Sequence, residues 1–134
     1  MKIMAALDLS DNAYADFVMI KAIKTAKQQN AKMDIVVVAE TCGNEDATSA
    51  VRSYQEKALA QGVTAKVRVL SGNFAAEEII KYQQSERLDL IVLGRRSHKS
   101  RAGFPMGAVS QRVAAYATCT VMVVRCMEEK DLMD

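Results

Sequence analysis

The stretch Leu88-Asp89-Leu90-Ile91-Val92-Leu93-Gly94-Arg95-Arg96-Ser97 decides the fold. Its apolar run, Leu88–Leu93, is short, rich in Leu, Ile and Val, and closed by a glycine and two arginines. A run of this kind, apolar on successive residues, reads as a parallel strand covered on both faces. Three further runs have the same character: Ile3–Leu7, Ile35–Ala39 and Val121–Val124. A fifth segment, Ala65-Lys66-Val67-Arg68-Val69, alternates strictly, which implies one exposed face or an edge position.

Helical spacing fills the intervals. Ala15, Val18, Met19, Ala22, Ile23 and Ala26 form one apolar stripe, with Ser10 as its expected cap. Ala47, Val51, Tyr54 and Ala58 form a second, stopped by Gly62. Ala76, Ile79, Ile80 and Gln83 form a third behind Asn73 as cap, with Glu77 and Glu78 complementing the dipole of its first turn. Pro105 opens a fourth, with Val109, Val113 and Tyr116 as its stripe. The order is βαβαβαβαβ. It predicts one doubly wound parallel sheet with helices on both faces.

Composition narrows the functional classes. A length of 134 residues supports one domain with a core of its own, without a disulfide or metal staple. The 18 basic residues against 16 acidic ones give a net charge of +2, and aromatics are 5% with no Trp. Neither a global nucleic-acid footprint nor a base-stacking platform is expected. Cys42, Cys119 and Cys126 form no C-x-x-C pair, so no zinc or redox motif is read. The odd count suits a reducing compartment. No apolar run reaches membrane-spanning length, and Met1–Leu7 meets Asp8 too early for a signal segment. The expectation is a cytoplasmic chain without membrane or nucleic-acid partners. It would comprise one domain over residues 1–126 and an acidic tail over 127–134.

Ligands of open α/β sheets bind beyond the carboxyl ends of the strands. That rule selects the loops Asp8–Asn12, Glu40–Asp46, Ser71–Asn73 and Gly94–Gly107. The last carries Gly94, Gly103 and Gly107 with Arg95, Arg96, Lys99 and Arg101, and it runs into a helix. Glycines admit close backbone approach, free N–H groups donate, and arginines add charge-assisted bonds. This chemistry suits a phosphate cradle; a solvated basic loop remains the alternative. Asp8 is either an acceptor for an adenine amino group or a ribose, or a turn residue feeding the first helix. His98, the single histidine, has no visible catalytic or metal partner and reads as an exposed loop residue. The eight methionines read as fillers of core or interface gaps. Walker, dinucleotide G-x-G-x-x-G, Ser-Gly-Gly and phosphoacceptor patterns are all absent from their required places.

The chain resembles the universal stress protein family from about Met1 to Arg125. The resemblance rests on Met4-Ala5-Ala6-Leu7-Asp8-Leu9-Ser10, on Ser71-Gly72-Asn73-Phe74-Ala75-Ala76-Glu77-Glu78-Ile79, and on Leu88–Gly94. Gly107-Ala108-Val109-Ser110 and Cys119–Arg125 complete it. It implies a Rossmann-like sheet of order 3-2-1-4-5. The ATP-binding branch of the family carries G-x2-G-x9-G-[ST]. Here the spacing runs Gly94, Ser97, Gly107, Ala108, so two of four marked positions are changed.

Matched by position, the resemblance implies that Asp8 and the Val38 backbone meet adenine, and that Leu93, Gly94 and Arg96 follow the ribose and phosphates. Gly107 and Val109 would offer N–H groups to phosphate, while Ser97 and Ala108 occupy phosphate-contact positions with altered chemistry. The implied ligand is ATP or another adenine nucleotide, with magnesium as an optional companion and little or no turnover. Family members pair around the last strand, so a homodimer through Thr120–Arg125 is expected. The other reading is a nucleotide-independent dimeric adaptor acting on protein partners, which Ser97 and Ala108 favour.

Overall fold

The computed structural model describes residues 1–8, 12–39, 44–72, 74–96 and 108–126. Nine elements follow the expected alternation. They are β1 (Lys2–Leu7), α1 (Asn12–Gln29), β2 (Lys32–Ala39), α2 (Asn44–Ala60), β3 (Ala65–Ser71), α3 (Ala75–Glu86), β4 (Leu90–Arg96), α4 (Ala108–Tyr116) and β5 (Thr120–Cys126). The five strands form one parallel sheet in the order β3-β2-β1-β4-β5.

The apolar runs stay inside because both faces of the central strands are covered. Ile3, Ala5 and Leu7 of β1 join Met33, Ile35 and Val37 of β2 and Val92 of β4 under α1 and α2. Met4 and Ala6, with Val36, Ile91 and Leu93, pack on the opposite face with α3 and α4. All six stripe residues of α1 are buried, as are Val51, Tyr54 and Ala58 of α2. The edge strands differ. In β3, Lys66 and Arg68 are exposed while Val67 is half-buried, and in β5 residues Val121 to Val124 are all half-buried.

Three helices end on a left-handed residue that turns the chain into the next strand. Gly62 has φ +82°, Asn30 φ 51° and Arg87 φ 52°. In each case the following N–H returns to the last helical turn: Ala31 to Ala26, Val63 to Ala58 and Leu88 to Gln83, at 2.9, 2.9 and 3.0 Å. Only Gly62 announces itself in the sequence, since glycine alone adopts this conformation without a Cβ penalty.

Four sequence expectations need correction. β2 begins at Lys32, three residues before the apolar run, because the carboxylate of Asp34 is accommodated inside the sheet: the Tyr82 hydroxyl donates to Asp34 Oδ2 at 2.7 Å. Leu88 is not a strand residue but a buried turn residue, and β4 starts at Leu90. At its other end β4 continues through Gly94, Arg95 and Arg96, so these three residues pair with β5 instead of opening the loop. The stripe of α4 is misplaced: Val113 and Ser110 are buried, whereas Val109 and Tyr116 are 40% and 63% exposed. That helix packs on the sheet through Val113 alone among the three, since its interior face runs through residues 110, 113 and 117 at helical spacing.

The N-cap position of α3 is Phe74, without a side-chain cap bond. Asn73, read as its cap, lies outside the described residues, as do Ser10, Pro105, His98 and the tail over 127–134.

Candidate functional site

Strand order creates the site. β1 and β4 are neighbours although two strands and three helices separate them in sequence, and β1 also pairs with β2 on its other side. The helices that follow β1 and β4 cover opposite faces of the sheet. In open α/β sheets such a switch point marks where a ligand crevice forms, at the carboxyl edge.

Register brings the expected residues to that edge. Leu7 pairs with Val37, so Asp8 emerges in step with Val38. Asp8 is exposed at the end of β1, and Val38 is half-buried, paired with Leu70 of β3. Ala5 pairs with Val92, which puts Leu93 and Gly94 level with the last residues of β1. Leu93 is buried and serves the α3–α4 face of the core. Gly94 is buried opposite Val124, and Arg96 pairs with Cys126 at the strand's last step.

The first turn of α4 supplies the remaining described part. Ala108 is its first residue and Val109 its exposed second. A helix start presents N–H groups without intrahelical acceptors, aligned with the positive end of the dipole. Such an end suits a phosphate. Ser110, in the same turn, is 3% exposed. The sequence reading did not single it out, although a hydroxyl three residues into a helix behind a glycine was a usable signal. Ser97 and Gly107 lie outside the described residues. The described part thus offers an exposed carboxylate and a strand glycine at the carboxyl edge, and a helix N-terminus that follows β4. That set fits an adenine nucleotide, with the carboxylate as acceptor for its amino or hydroxyl groups and the helix start toward its phosphates. No cluster of three or more His, Cys, Asp or Glu side chains that could hold a metal occurs among the described residues.

α3 and α4 are fastened to each other near this edge. Arg112 of α4 bonds Glu77 of α3 and lies over the Tyr116 ring. Gly72, between β3 and α3, sits against Glu78: a Cβ there would lie 2.7 Å from Glu78 Cγ. Farther from the edge, Gln83 ties three segments together. Its Nε2 donates to the Leu88 carbonyl at 3.3 Å, and its Oε1 accepts from the N–H and hydroxyl of Thr118 at 3.2 and 3.1 Å.

A five-stranded parallel sheet of this order, with helices on both faces and its switch point between β1 and β4, defines a Rossmann-like α/β domain. The chain belongs to the universal stress protein family, whose model matches residues 1–125. A universal stress protein of Bacillus subtilis is 32% identical over 75 residues, which cover 56% of this chain and 50% of that protein. One of Methanocaldococcus jannaschii is 30% identical over 81 residues, covering 60% and 47%. The match thus spans about half the length of these two relatives.

Among solved structures, the universal stress protein UspA of Lactobacillus plantarum superposes with a TM-score of 0.81 at 22% identity, covering 93% of this chain and 97% of that one. A universal stress protein in complex with cAMP gives 0.78 at 20% identity, covering 94% and 97%. The Archaeoglobus fulgidus protein in complex with dAMP gives 0.73 at 19%, covering 92% and 97%. These likenesses establish the shared fold. No helix among the described residues is long and apolar enough to cross a membrane.

Proposed function

We propose that this chain is a cytoplasmic stress-response protein that holds an adenine nucleotide, ATP or a close analogue, at the carboxyl edge between β1 and β4. The observation that carries the reading is the register that puts Asp8 and Val38 one step beyond the level of Gly94 at the sheet's switch point. Family members of the same fold in complex with cAMP and dAMP support it. In this reading Asp8 and the Val38 backbone meet the adenine, and Leu93 and Gly94 flank the ribose. Arg96, Ser97, Gly107, Ala108 and Val109 surround the phosphates, with magnesium as an optional companion.

The mechanism is binding without fast chemistry. The residues assigned here orient and neutralise phosphates, but none is a general base placed to activate water. Ser97 and Ala108 replace the second glycine and the final hydroxyl of the family's nucleotide motif. A lost hydroxyl-to-phosphate bond costs about 1.5–3 kcal/mol, roughly 10- to 100-fold in affinity. The backbone donors are untouched by either change, so binding is weakened and not abolished.

Calorimetric titration of the full chain with ATP and magnesium tests this. Saturation near one site per chain, lost on Arg96→Ala, is the expected result. Absence of heat at high concentrations of both components would overturn it. It would favour the second reading, a nucleotide-independent adaptor that pairs through Thr120–Arg125 and recognises protein partners. That reading draws on Ser97 and Ala108, and on the half-buried apolar run of β5 at the sheet edge.

A further inference from the structure

The helices on the β1–β2 face leave a groove that the nucleotide reading does not use. It has a volume of 730 Å³ and runs between α1 and α2. At one end the two helices are joined where the Tyr54 hydroxyl donates to Asp16 Oδ1 at 2.8 Å. From there the groove follows α1 from Asp16 to Gln28, about 18 Å at the rise of an α-helix. Its far end lies at Lys27 and Gln61. These residues precede the turns into β2 and β3, so that end opens at the amino edge of the sheet, opposite the crevice.

Two properties of the lining stand together. Its floor is formed by Met19, Ile23 and Tyr54, all buried in the core, and Ile20 stands out of it 68% exposed. Its lining is basic: among the described lining residues are Lys24, Lys27 and Lys57 against one carboxylate, Asp16, one of whose oxygens accepts from Tyr54. Lys57 Nζ lies 5.2 Å from the centre of the Tyr54 ring. Lysines in a last helical turn complement the dipole, which accounts for Lys27 and Lys57 but not for the exposed isoleucine that lines the same groove.

We propose that this groove docks an acidic amphipathic helix of a partner protein. Helix-in-groove recognition needs an apolar trough a few turns long with charges along its rim. A partner helix of about three turns spans 18 Å. Its apolar stripe would cover Ile20 above the buried Ile23 and Tyr54, and its flanking carboxylates would meet the three lysines. The concave shape favours a helix over a flat lipid surface.

The test uses the full chain and a fluorescein-labelled peptide of about three helical turns, with Leu on one face and Glu on the rest, read by fluorescence anisotropy. Saturable binding is expected. It should weaken at least about tenfold in Ile20→Ser, which changes no charge, and in the triple variant Lys24→Glu, Lys27→Glu, Lys57→Glu. Lys81→Glu, on α3 across the sheet, should leave it unchanged. Circular dichroism confirms that each variant is folded; Ile20 is exposed, so its replacement spares the core.

Absence of saturable binding overturns the proposal, as does indifference to Ile20→Ser or an equal loss in Lys81→Glu. Ile20-dependent sedimentation with phosphatidylglycerol vesicles that the peptide fails to displace would reassign the groove to a membrane. Ile20-dependent self-association would reassign it to a second copy. Either result overturns the partner-helix proposal.

Discussion

Asp34 shows what a single buried carboxylate does to a strand. It is 7% exposed in β2 and accepts from Tyr82, which is 8% exposed on α3. In the sequence it interrupts the apolar pattern, so the strand reads as starting at Ile35. Nothing local reveals that a hydroxyl 48 residues away satisfies it. The same pair yields a pH prediction. Burial, then the bond to Asp34 and its charge, push the Tyr82 phenol from 10 up to about 12, while Arg68 works the other way. The folded chain therefore keeps this proton through a range where the unfolded chain releases it. The stabilisation is whole below pH 10 and lost between pH 10 and about 12. Tyr82→Phe should cost about 1–3 kcal/mol at neutral pH, by leaving Asp34 without its donor. In urea titrations at about pH 9 and about pH 11.5, the gap between wild type and variant should narrow at the higher pH. A gap of constant size would show that the bond does not govern the alkaline limb.

A second residue-scale case is Arg87, whose φ of 52° places a side chain in the left-handed region. A Cβ there costs roughly 1 kcal/mol. Arg87→Gly should raise the unfolding free energy by up to about 1 kcal/mol, less what the unfolded glycine gains in freedom. A destabilised variant would mean that the guanidinium makes a contribution larger than the strain.

At the scale of elements, the central strands and the alternating edge strand β3 were legible, and the ends of the elements were not. β1 and β4 are covered on both faces, so their composition alone carries the message. The start and stop of β4 depend on its neighbours: Leu88 is apolar for the sake of the α3 turn, and Gly94 to Arg96 extend because β5 is there to pair with them. Helix α4 makes the distinction measurable. Val113 is fully buried and Val109 is not, although both are valines on one short helix. Val113→Ala should cost about 2 kcal/mol in chemical denaturation, and Val109→Ala no more than about 0.5 kcal/mol. Equal costs would contradict the placement of the helix on its sheet. For β5, the proposed pairing predicts that Val123→Lys shifts sedimentation toward the monomer, since a charge on an apolar edge opposes docking. An unchanged dimer would move the interface elsewhere.

At the scale of the whole molecule, the two edges of one sheet carry different chemistry. The carboxyl edge gathers Asp8, Gly94 and the start of α4, and the sequence pointed to that edge because topology dictates where crevices form in such sheets. The groove of Ile20 and the three lysines was not legible. Each of those residues has an ordinary explanation in its own helix, and only the meeting of α1 with α2 makes them a trough. A ligand that binds only the folded chain stabilises it by mass action: at a hundredfold excess over Kd the gain is about 2.7 kcal/mol, or on the order of 10 °C in Tm for a domain of this size. ATP should therefore raise the melting temperature of the wild type by that order. Restoring the family pattern with Ser97→Gly and Ala108→Ser should enlarge the shift at fixed nucleotide concentration, because tighter binding adds about 1.4 kcal/mol per tenfold. If the restored chain responds to ATP and the wild type does not, the two departures have retired the site, and the fold serves here as a scaffold for partners. If both respond, the backbone donors at the helix start and the arginines are sufficient, and the two side chains only set the concentration at which the chain senses its nucleotide.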